Sequence, residues 1–325
     1  MALWADYMLI APATSNTISS MVQASCTNLV LAAYLSSQCK VFVAPAMDLD
    51  MFAHPANQEN LKTLSDRGVV VLPTEEGFLA SGLHGKGRMQ EPDDIVSFIG
   101  NYISENSPLY GKKVVLTAGP TYAAIGPVRF IGNNSSGKMG FELAKRAAAL
   151  GANVVLISGP SALDIDHDKI DIIRVVSADQ MFEASKLHYT EADIFIASAA
   201  VADFKPNTHA KQKIKKEVGF NQINLVPTPD ILAHLGEIKK NQFLVGFALE
   251  TENELEHAQG KLERKNLDAI VLNSLNDADA GFGGDQNKIT YIQPKAKPID
   301  FNLKSKVAVA VDVFDQILKT YEKTT

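Results

Sequence analysis

Apolar residues in this chain fall into short uninterrupted runs, separated by stretches in which they recur every three or four positions. The runs of strand length are Tyr7–Ala11, Lys40–Ala44, Gly68–Leu72, Lys113–Ala118, Asn153–Ser158, Asp193–Ser198, Phe243–Ala248 and Asp268–Asn273. Most lack the alternation of a half-solvated strand, which predicts parallel strands covered on both faces. Phe141–Leu150 (FELAKRAAAL) and Glu254–Lys265 (ELEHAQGKLERK) carry helical spacing. Strands alternating with helices predict an α/β fold on open parallel sheets.

A polar stretch at Tyr102–Leu109 (YISENSPL) precedes a fresh strand, KKVVLTAG. It predicts two Rossmann-like open parallel-sheet domains, 1–104 and 109–325. The first contains only three of the strand-length runs, so its sheet is expected to be incomplete. Ligands of open α/β sheets bind beyond the carboxyl ends of the strands. The loops in those places are APATSNT, APAMDLDM, AGPTYAAIGPVRFIGNNSSGKMG, ASAAVADF and GFALETEN.

Composition narrows the field. The 325 residues suffice for two domains, and 46% hydrophobic with 21% charged residues excludes wholesale disorder. A net charge of −6 argues against a general nucleic-acid binder, though not against a local basic pocket. No apolar run approaches the roughly 18 residues of a membrane span. Asp6 stands where a secretory signal would carry positive charge. Cys26 and Cys39 form neither a CxxC nor a Cys/His cluster, so a disulfide framework or structural zinc is not expected. A cytoplasmic protein with no membrane or nucleic-acid partner is the expectation.

The loops supply candidate chemistry. Gly132–Met139 (GNNSSGKM) matches G-x-x-x-x-G-K, but Met139 replaces the hydroxyl residue that would bind Mg²⁺. It also begins 14 residues beyond the strand ending at Ala118, whereas a phosphate loop joins strand to helix directly. A phosphate-loop NTPase is therefore disfavoured. Asn133, Asn134, Ser135, Ser136 and Gly137 still open a helix whose free N–H groups attract anions. Plain N-capping by Ser135 or Ser136 is the simpler alternative.

In SAAVADF, small residues permit close approach of a ligand, and Asp203 can accept hydrogen bonds, reach a metal or cap a helix. Lys205, Lys211, Lys213, Lys215 and Lys216 follow within twelve residues. They make either a solvated basic loop or one that closes over a polyphosphate. Lys261, Arg264 and Lys265 share a helix face, ready for salt bridges or for a ligand. His54, His84 and the other histidines lack metal-ligand spacing and read as surface residues.

Taken in order, LTAGPT, GPVRFIGNNSSGKMG, SAAVADF, KQKIKK, PTPDIL, GFALETEN, RKNLDAIVLN and GFGGDQN resemble the phosphopantothenate–cysteine ligases. APATSNT, APAMDLDM and ASGLHGKGRM resemble the flavin-dependent phosphopantothenoylcysteine decarboxylase fused ahead of that ligase in bacteria. The resemblance implies coenzyme A biosynthesis. CTP would activate the carboxylate of 4′-phosphopantothenate as an acyl-cytidylate with release of pyrophosphate, and the amine of L-cysteine would displace CMP. Mg²⁺ is implied by the splitting of a triphosphate.

On the same resemblance, Asn133 holds the acyl-cytidylate and Lys213 contacts CTP and supports activation. Ala197, Ser198, Ala199, Asp203, Pro229, Asp230, Ile231, Leu232, Phe247, Lys261 and Lys265 fall on CTP-binding positions. Arg129, Asn133, Ala199 and Ala200 would contact phosphopantothenate, Arg129 across a ligase dimer. Gly126 replaces the family's usual Asp, and Ala123 and Ala124 stand at positions often charged.

In the first domain, Thr14, Ser15, Asn16, Met47 and Asp48 fall on decarboxylase substrate or FMN positions. Asp48 replaces the family's Asn, and Ser81 replaces the Cys that donates a proton to the ene-thiol intermediate. A serine hydroxyl is a far poorer acid than a thiol. The family's catalytic His and first strands would precede Met1. Little decarboxylase activity is expected. The alternative from another class is a non-catalytic regulatory protein that binds a nucleotide or flavin.

Overall fold

Residues 113–300 assemble one sheet whose strands run in the spatial order Ile170–Arg174, Asn153–Ser158, Lys113–Ala118, Ile194–Ala197, Phe243–Glu250, Ala269–Ser274, Ile289–Ile292, Ile299–Asp300. The first six pair in parallel and the last two add antiparallel. The computed structural model describes residues 4–79, 81–213, 222–250, 252–274 and 284–321. They form two compact units, Met1–Ile103 and Ser104–Thr325.

From Lys113–Ala118 the chain builds two strands to one side, then returns to place Ile194–Ala197 on the other. That reversal opens a crevice between those two strands at their carboxyl ends, where doubly wound sheets bind ligands. Alternation along the strands explains why both faces are covered. Val114, Leu116 and Ile196 point into a core with helices Lys138–Ala149 and Lys306–Tyr321. Val115 and Phe195 point into a second core with helices Ala178–Tyr189, Ile231–Glu237 and Glu254–Arg264. Removing a side chain such as the buried Phe141 from such a core costs roughly 3–5 kcal/mol.

Ile170–Arg174 and the antiparallel pair were not among the sequence-predicted strands. IDIIR is an edge strand with only Ile170 buried, so its apolar run is short. Ile299–Asp300 is exposed and only two residues long. The helix predicted from Phe141 starts three residues earlier, at Lys138.

The first unit holds a parallel sheet in the order Tyr7–Ala13, Lys40–Pro45, Val70–Val71. Ile10, Ile18, Leu31, Val43 and Leu64 fill one side of it, and Phe42, Ala44, Leu72 and Ile95 the other. Among the described residues no helix is long and apolar enough to cross a membrane. Cys26 and Cys39 are free thiols.

Candidate functional site

A cleft of about 700 Å³ lies along the carboxyl ends of the second unit's strands. The loop after Lys113–Ala118 reaches it by way of a two-stranded hairpin, Tyr122–Ala124 with Phe130–Gly132. That hairpin accounts for the gap between strand and helix that disfavoured a phosphate loop. Gly137 then turns the chain into the helix at φ +83°, a left-handed conformation that suits glycine. One turn on, a Cβ at Gly140 would lie 2.5 Å from the Ala118 side chain and 2.8 Å from Ser198 Oγ. Glycine there lets the helix start press against the strand ends.

Gly137 has no side chain to cap this helix, and Ser136 Oγ accepts from its first N–H, that of Lys138, at 3.5 Å, so capping by Ser136 is partly present. Ser135 Oγ accepts from Gly137 N–H at 3.3 Å and shapes the approach to the helix. Ser135, Ser136, Lys138 and Met139 line the cleft.

The SAAVADF loop is tied to the first strand. Ser198 Oγ donates to Thr117 O at 2.6 Å, and Ala199 N–H donates to Thr117 Oγ1 at 3.2 Å. Asn133 Nδ2 bridges across, donating to Ala200 O at 3.0 Å and Val201 O at 3.3 Å. Asp203 is exposed, lines the cleft and caps no helix, which removes the capping alternative. Beyond it, Phe204–Pro206 pairs with Leu225–Pro227, and the lysine-rich segment connects the two arms. Lys205 is engaged by Asp179 at 2.6 Å, so it leaves the expected phosphate loop. Lys211 and Lys213 are exposed, whereas Lys215 and Lys216 lie outside the described residues.

The remaining wall comes from PTPDIL and the helix Glu254–Arg264. Asp230 caps Ile231–Glu237 by accepting from Ala233 N–H at 3.0 Å, and it pairs with Lys265 at 2.8 Å. Burial pushes the Asp230 carboxyl up, but Lys265 and the Ala233 N–H outweigh it and hold the group below the usual carboxylate range. Lys261 pairs with Glu250 at 2.5 Å. Lys261 and Lys265 therefore face the cleft with partners already in place, while Arg264 is not among its lining residues.

Of the residues singled out in sequence, Asn133, Ala197, Ser198, Ala199, Ala200, Asp203, Pro229, Asp230, Ile231, Leu232, Phe247, Lys261 and Lys265 line this one cleft. Lys213 and Arg129 do not. Arg129 stands at an exposed turn between Val128 and Phe130, whose ring stacks on Tyr122 at 3.8 Å. A Cβ at Gly126 would meet the Ala210 carbonyl at an ordinary 3.4 Å, so the loop has room for a larger residue there.

Sequence reasoning missed Thr117, Asn273, Asn287 and Lys306, which line the cleft together with Lys138, the lysine of the GNNSSGKM loop. Lys306 carried only a weak signal. It begins the apolar helix KVAVAVDVF, where a cation opposes the helix dipole and no acidic residue accompanies it. It is 6% exposed and donates to Gly284 O at 2.6 Å. Burial first, then the nearby Lys138, push its ammonium below the usual lysine range, with Asp285 opposing them.

In the first unit, Ser81 Oγ donates to Asp48 Oδ1 at 2.9 Å, and the same carboxylate oxygen caps Leu49 N–H at 2.8 Å. The two residues that depart from the decarboxylase pattern thus contact each other. Thr14 caps the helix Ser15–Val22, Ser15 donates to Asn57 at 2.8 Å, Asn16 is exposed and Met47 packs against the sheet core. His54 caps Pro55–Asp66, and His84 is exposed on a hairpin, as expected of surface histidines.

Residues 109–321 match the family profile described as DNA/pantothenate metabolism flavoprotein C-terminal domain. The chain belongs to this family. Residues 1–104 match the profile described as flavoprotein. The coenzyme A biosynthesis bifunctional protein CoaBC of Bacillus subtilis is 42% identical over 323 residues, 99% of this chain and 80% of the relative. A protein named cysteine/cysteine sulfinic acid decarboxylase, from an unknown prokaryotic organism, is 52% identical over 98% of this chain and 90% of its own length. The crystal structure of the C-terminal domain of a CoaBC protein aligns with a TM-score of 0.58 at 39% identity, covering 67% of this chain and 100% of that domain. The chain therefore shares both its sequence and its doubly wound fold with proteins named for coenzyme A biosynthesis.

Proposed function

We propose that the second unit ligates 4′-phosphopantothenate to L-cysteine, using CTP to activate the carboxylate. The observation that carries this reading is the cleft at the strand ends, which gathers Asn133, Ala197–Ala200, Asp203, Asp230, Phe247, Lys261 and Lys265. A carboxylate oxygen attacks the α-phosphorus of CTP and pyrophosphate departs. The cysteine amine then attacks the acyl carbon, CMP leaves with the bonding electrons, and the amine loses a proton.

The chain's own groups suit those demands. Small side chains at Ala197–Ala200 let the reacting phosphate approach the main chain. Phe247, Ile231 and Leu232 offer apolar contact for the base, and Lys261 and Lys265 offer donors. Lys213 would reach the triphosphate from the lysine-rich segment. Arg129 stands on an exposed turn outside its own cleft, with Val128 61% and Phe130 50% exposed beside it. This supports a dimer in which the arginine serves the neighbouring cleft.

Among the described residues no cluster of three acidic, His or Cys side chains could hold a metal. Asp230 is committed to Lys265, leaving Asp203 as the acidic group in the cleft without an ion pair among the described residues. Mg²⁺ would thus arrive on the triphosphate, with Asp203 beside it, and would supply charge neutralisation. In the first unit FMN would be held by Thr14–Asn16 and Met47 and would supply the redox chemistry of decarboxylation. Ser81, bound to Asp48 and lacking a thiol, makes that activity weak.

Pyrophosphate release from CTP tests this reading. It should require 4′-phosphopantothenate, with CMP formed once cysteine is added. CTP binding without any turnover would instead favour a regulatory nucleotide-binding protein.

A second reading rests on the relative named cysteine/cysteine sulfinic acid decarboxylase, which matches 98% of this chain. Carbon dioxide released from either amino acid, with no pyrophosphate formed from CTP, would establish it in place of the ligase.

A further inference from the structure

The two sides of the cleft differ in their charge balance. On the side of helix Glu254–Arg264, each lysine has its own carboxylate: Lys261 against Glu250 at 2.5 Å, and Lys265 against Asp230 at 2.8 Å. On the side of helices Lys138–Ala149 and Lys306–Tyr321, two lysines line the cleft, and Lys138 pairs with Asp285. Lys306 has no ion pair among the described residues, and its one acceptor there is the Gly284 carbonyl at 2.6 Å.

That lysine is only 6% exposed. Burying an ammonium is costly, and the repulsion from Lys138 adds to the cost, with the Asp285 carboxylate offsetting part of it. The start of helix Lys138–Ala149, entered through Gly137, brings a further partial positive charge to the same place. Asn273 and Asn287 line the cleft as well, with Asn273 Nδ2 donating to Asn287 Oδ1 at 3.2 Å. In a chain of net charge −6, this is a cationic corner waiting for a compact, multiply charged anion.

We propose that Lys306 and Lys138 hold the diphosphate that departs when the α-phosphorus of the nucleoside triphosphate is attacked. This rests on the ligase reading above and extends it to Lys306, which lies outside the motifs that carry the family resemblance, acting with Lys138 of the GNNSSGKM loop. As the carboxylate oxygen bonds to the α-phosphorus, the bond from that phosphorus to the bridging oxygen breaks. The electron pair stays on the departing diphosphate, and no proton transfer is needed. The two ammonium groups and the helix start neutralise the charge that appears there.

A phosphate monoester on the acid substrate has related chemistry, so the test separates the two. The probes are inorganic pyrophosphate, CMP and 4′-phosphopantothenate, each titrated calorimetrically against the full chain and its Lys306→Gln and Lys306→Arg variants. Lys306→Gln should weaken pyrophosphate at least about tenfold, the scale of one charge-assisted contact. CMP and 4′-phosphopantothenate should bind as before, and Lys306→Arg should restore most of the loss. Asp285→Asn, which releases Lys138, should tighten pyrophosphate.

Unchanged pyrophosphate affinity in Lys306→Gln overturns the proposal. So does a loss confined to 4′-phosphopantothenate, or an equal loss for CMP and pyrophosphate that Lys306→Arg does not rescue. Failure of the ligase reading looks different: the unaltered chain would bind pyrophosphate yet release none from CTP with 4′-phosphopantothenate.

Discussion

Asn133 donates its side-chain amide to the main-chain oxygen of Ala200 at 3.0 Å, joining loops 67 positions apart in sequence. Its second acceptor is Val201 O at 3.3 Å, so the amide nitrogen is set against two carbonyls. The contact fixes the gap between the helix-opening loop and SAAVADF, which is where the acyl-cytidylate would form.

A carboxylate at this position cannot donate. Asn133→Asp places it against two carbonyl oxygens and close to the cytidylate phosphate, where it is repelled twice over. The loss of the two hydrogen bonds, roughly 1–3 kcal/mol, translates to about a 5- to 150-fold fall in kcat/KM. Steady-state pyrophosphate release measures it, and unchanged turnover would contradict the role.

Lys265 and Asp230 make the nucleotide wall sensitive to acid. Asp230 is held below its ordinary value of 3.8, so its stabilising contribution is present above that pH and disappears as pH falls through the folded value. Removing the partner, as in Lys265→Ala, should flatten this part of the pH profile and raise the KM for CTP about tenfold, the cost of one charge-assisted contact. Thermal denaturation between pH 3 and 6 and a CTP titration would show it. An unaltered acid profile would mean that the pair does not set the Asp230 ionisation.

Lys306 should be held at a cost to stability. Its folded pKa is lowered, so the unfolded chain binds the proton more readily and the penalty is greatest at neutral pH. The penalty fades as pH rises through the folded value towards 10.5. Lys306→Met should raise Tm at pH 7 by roughly 2–4 °C, corresponding to about 1 kcal/mol, and the difference from the unaltered chain should shrink at pH 10. A lower Tm at pH 7 would show the ammonium to be a net stabiliser.

Ser81 and Asp48 give the first unit its own test. Ser81→Cys combined with Asp48→Asn removes the 2.9 Å contact and installs a thiol. With FMN supplied, the double variant should release carbon dioxide from phosphopantothenoylcysteine at least about tenfold faster, because a thiol is several pKa units more acidic than a serine hydroxyl. Equal rates would mean that these two positions do not limit decarboxylation.

The strands of the doubly wound core were legible because burial on both faces leaves apolar runs such as KVVLTA and NVVLIS. Ile170–Arg174 was not, because an edge strand needs apolar residues on fewer positions. Asn133 and Asp203 stood out through their neighbours in loops of unusual composition. Lys306 did not, since a single lysine at the start of an amphipathic helix reads as surface. Only the fold, by packing that helix against Lys138–Ala149, turns it toward the cleft. Lys205 misled for the opposite reason: its place in a lysine-rich run concealed a partner, Asp179, that is distant in sequence.

The acyl-cytidylate is the centre of the account, and oxygen transfer tests it most directly. 4′-Phosphopantothenate carrying ¹⁸O in its carboxylate is incubated with CTP, Mg²⁺ and cysteine, and the CMP is analysed by mass spectrometry. A carboxylate oxygen attacking the α-phosphorus leaves with CMP when cysteine forms the amide, so one ¹⁸O should appear in the CMP phosphate for each amide made. Amide formed with unlabelled CMP, or no amide at all, would contradict the mechanism.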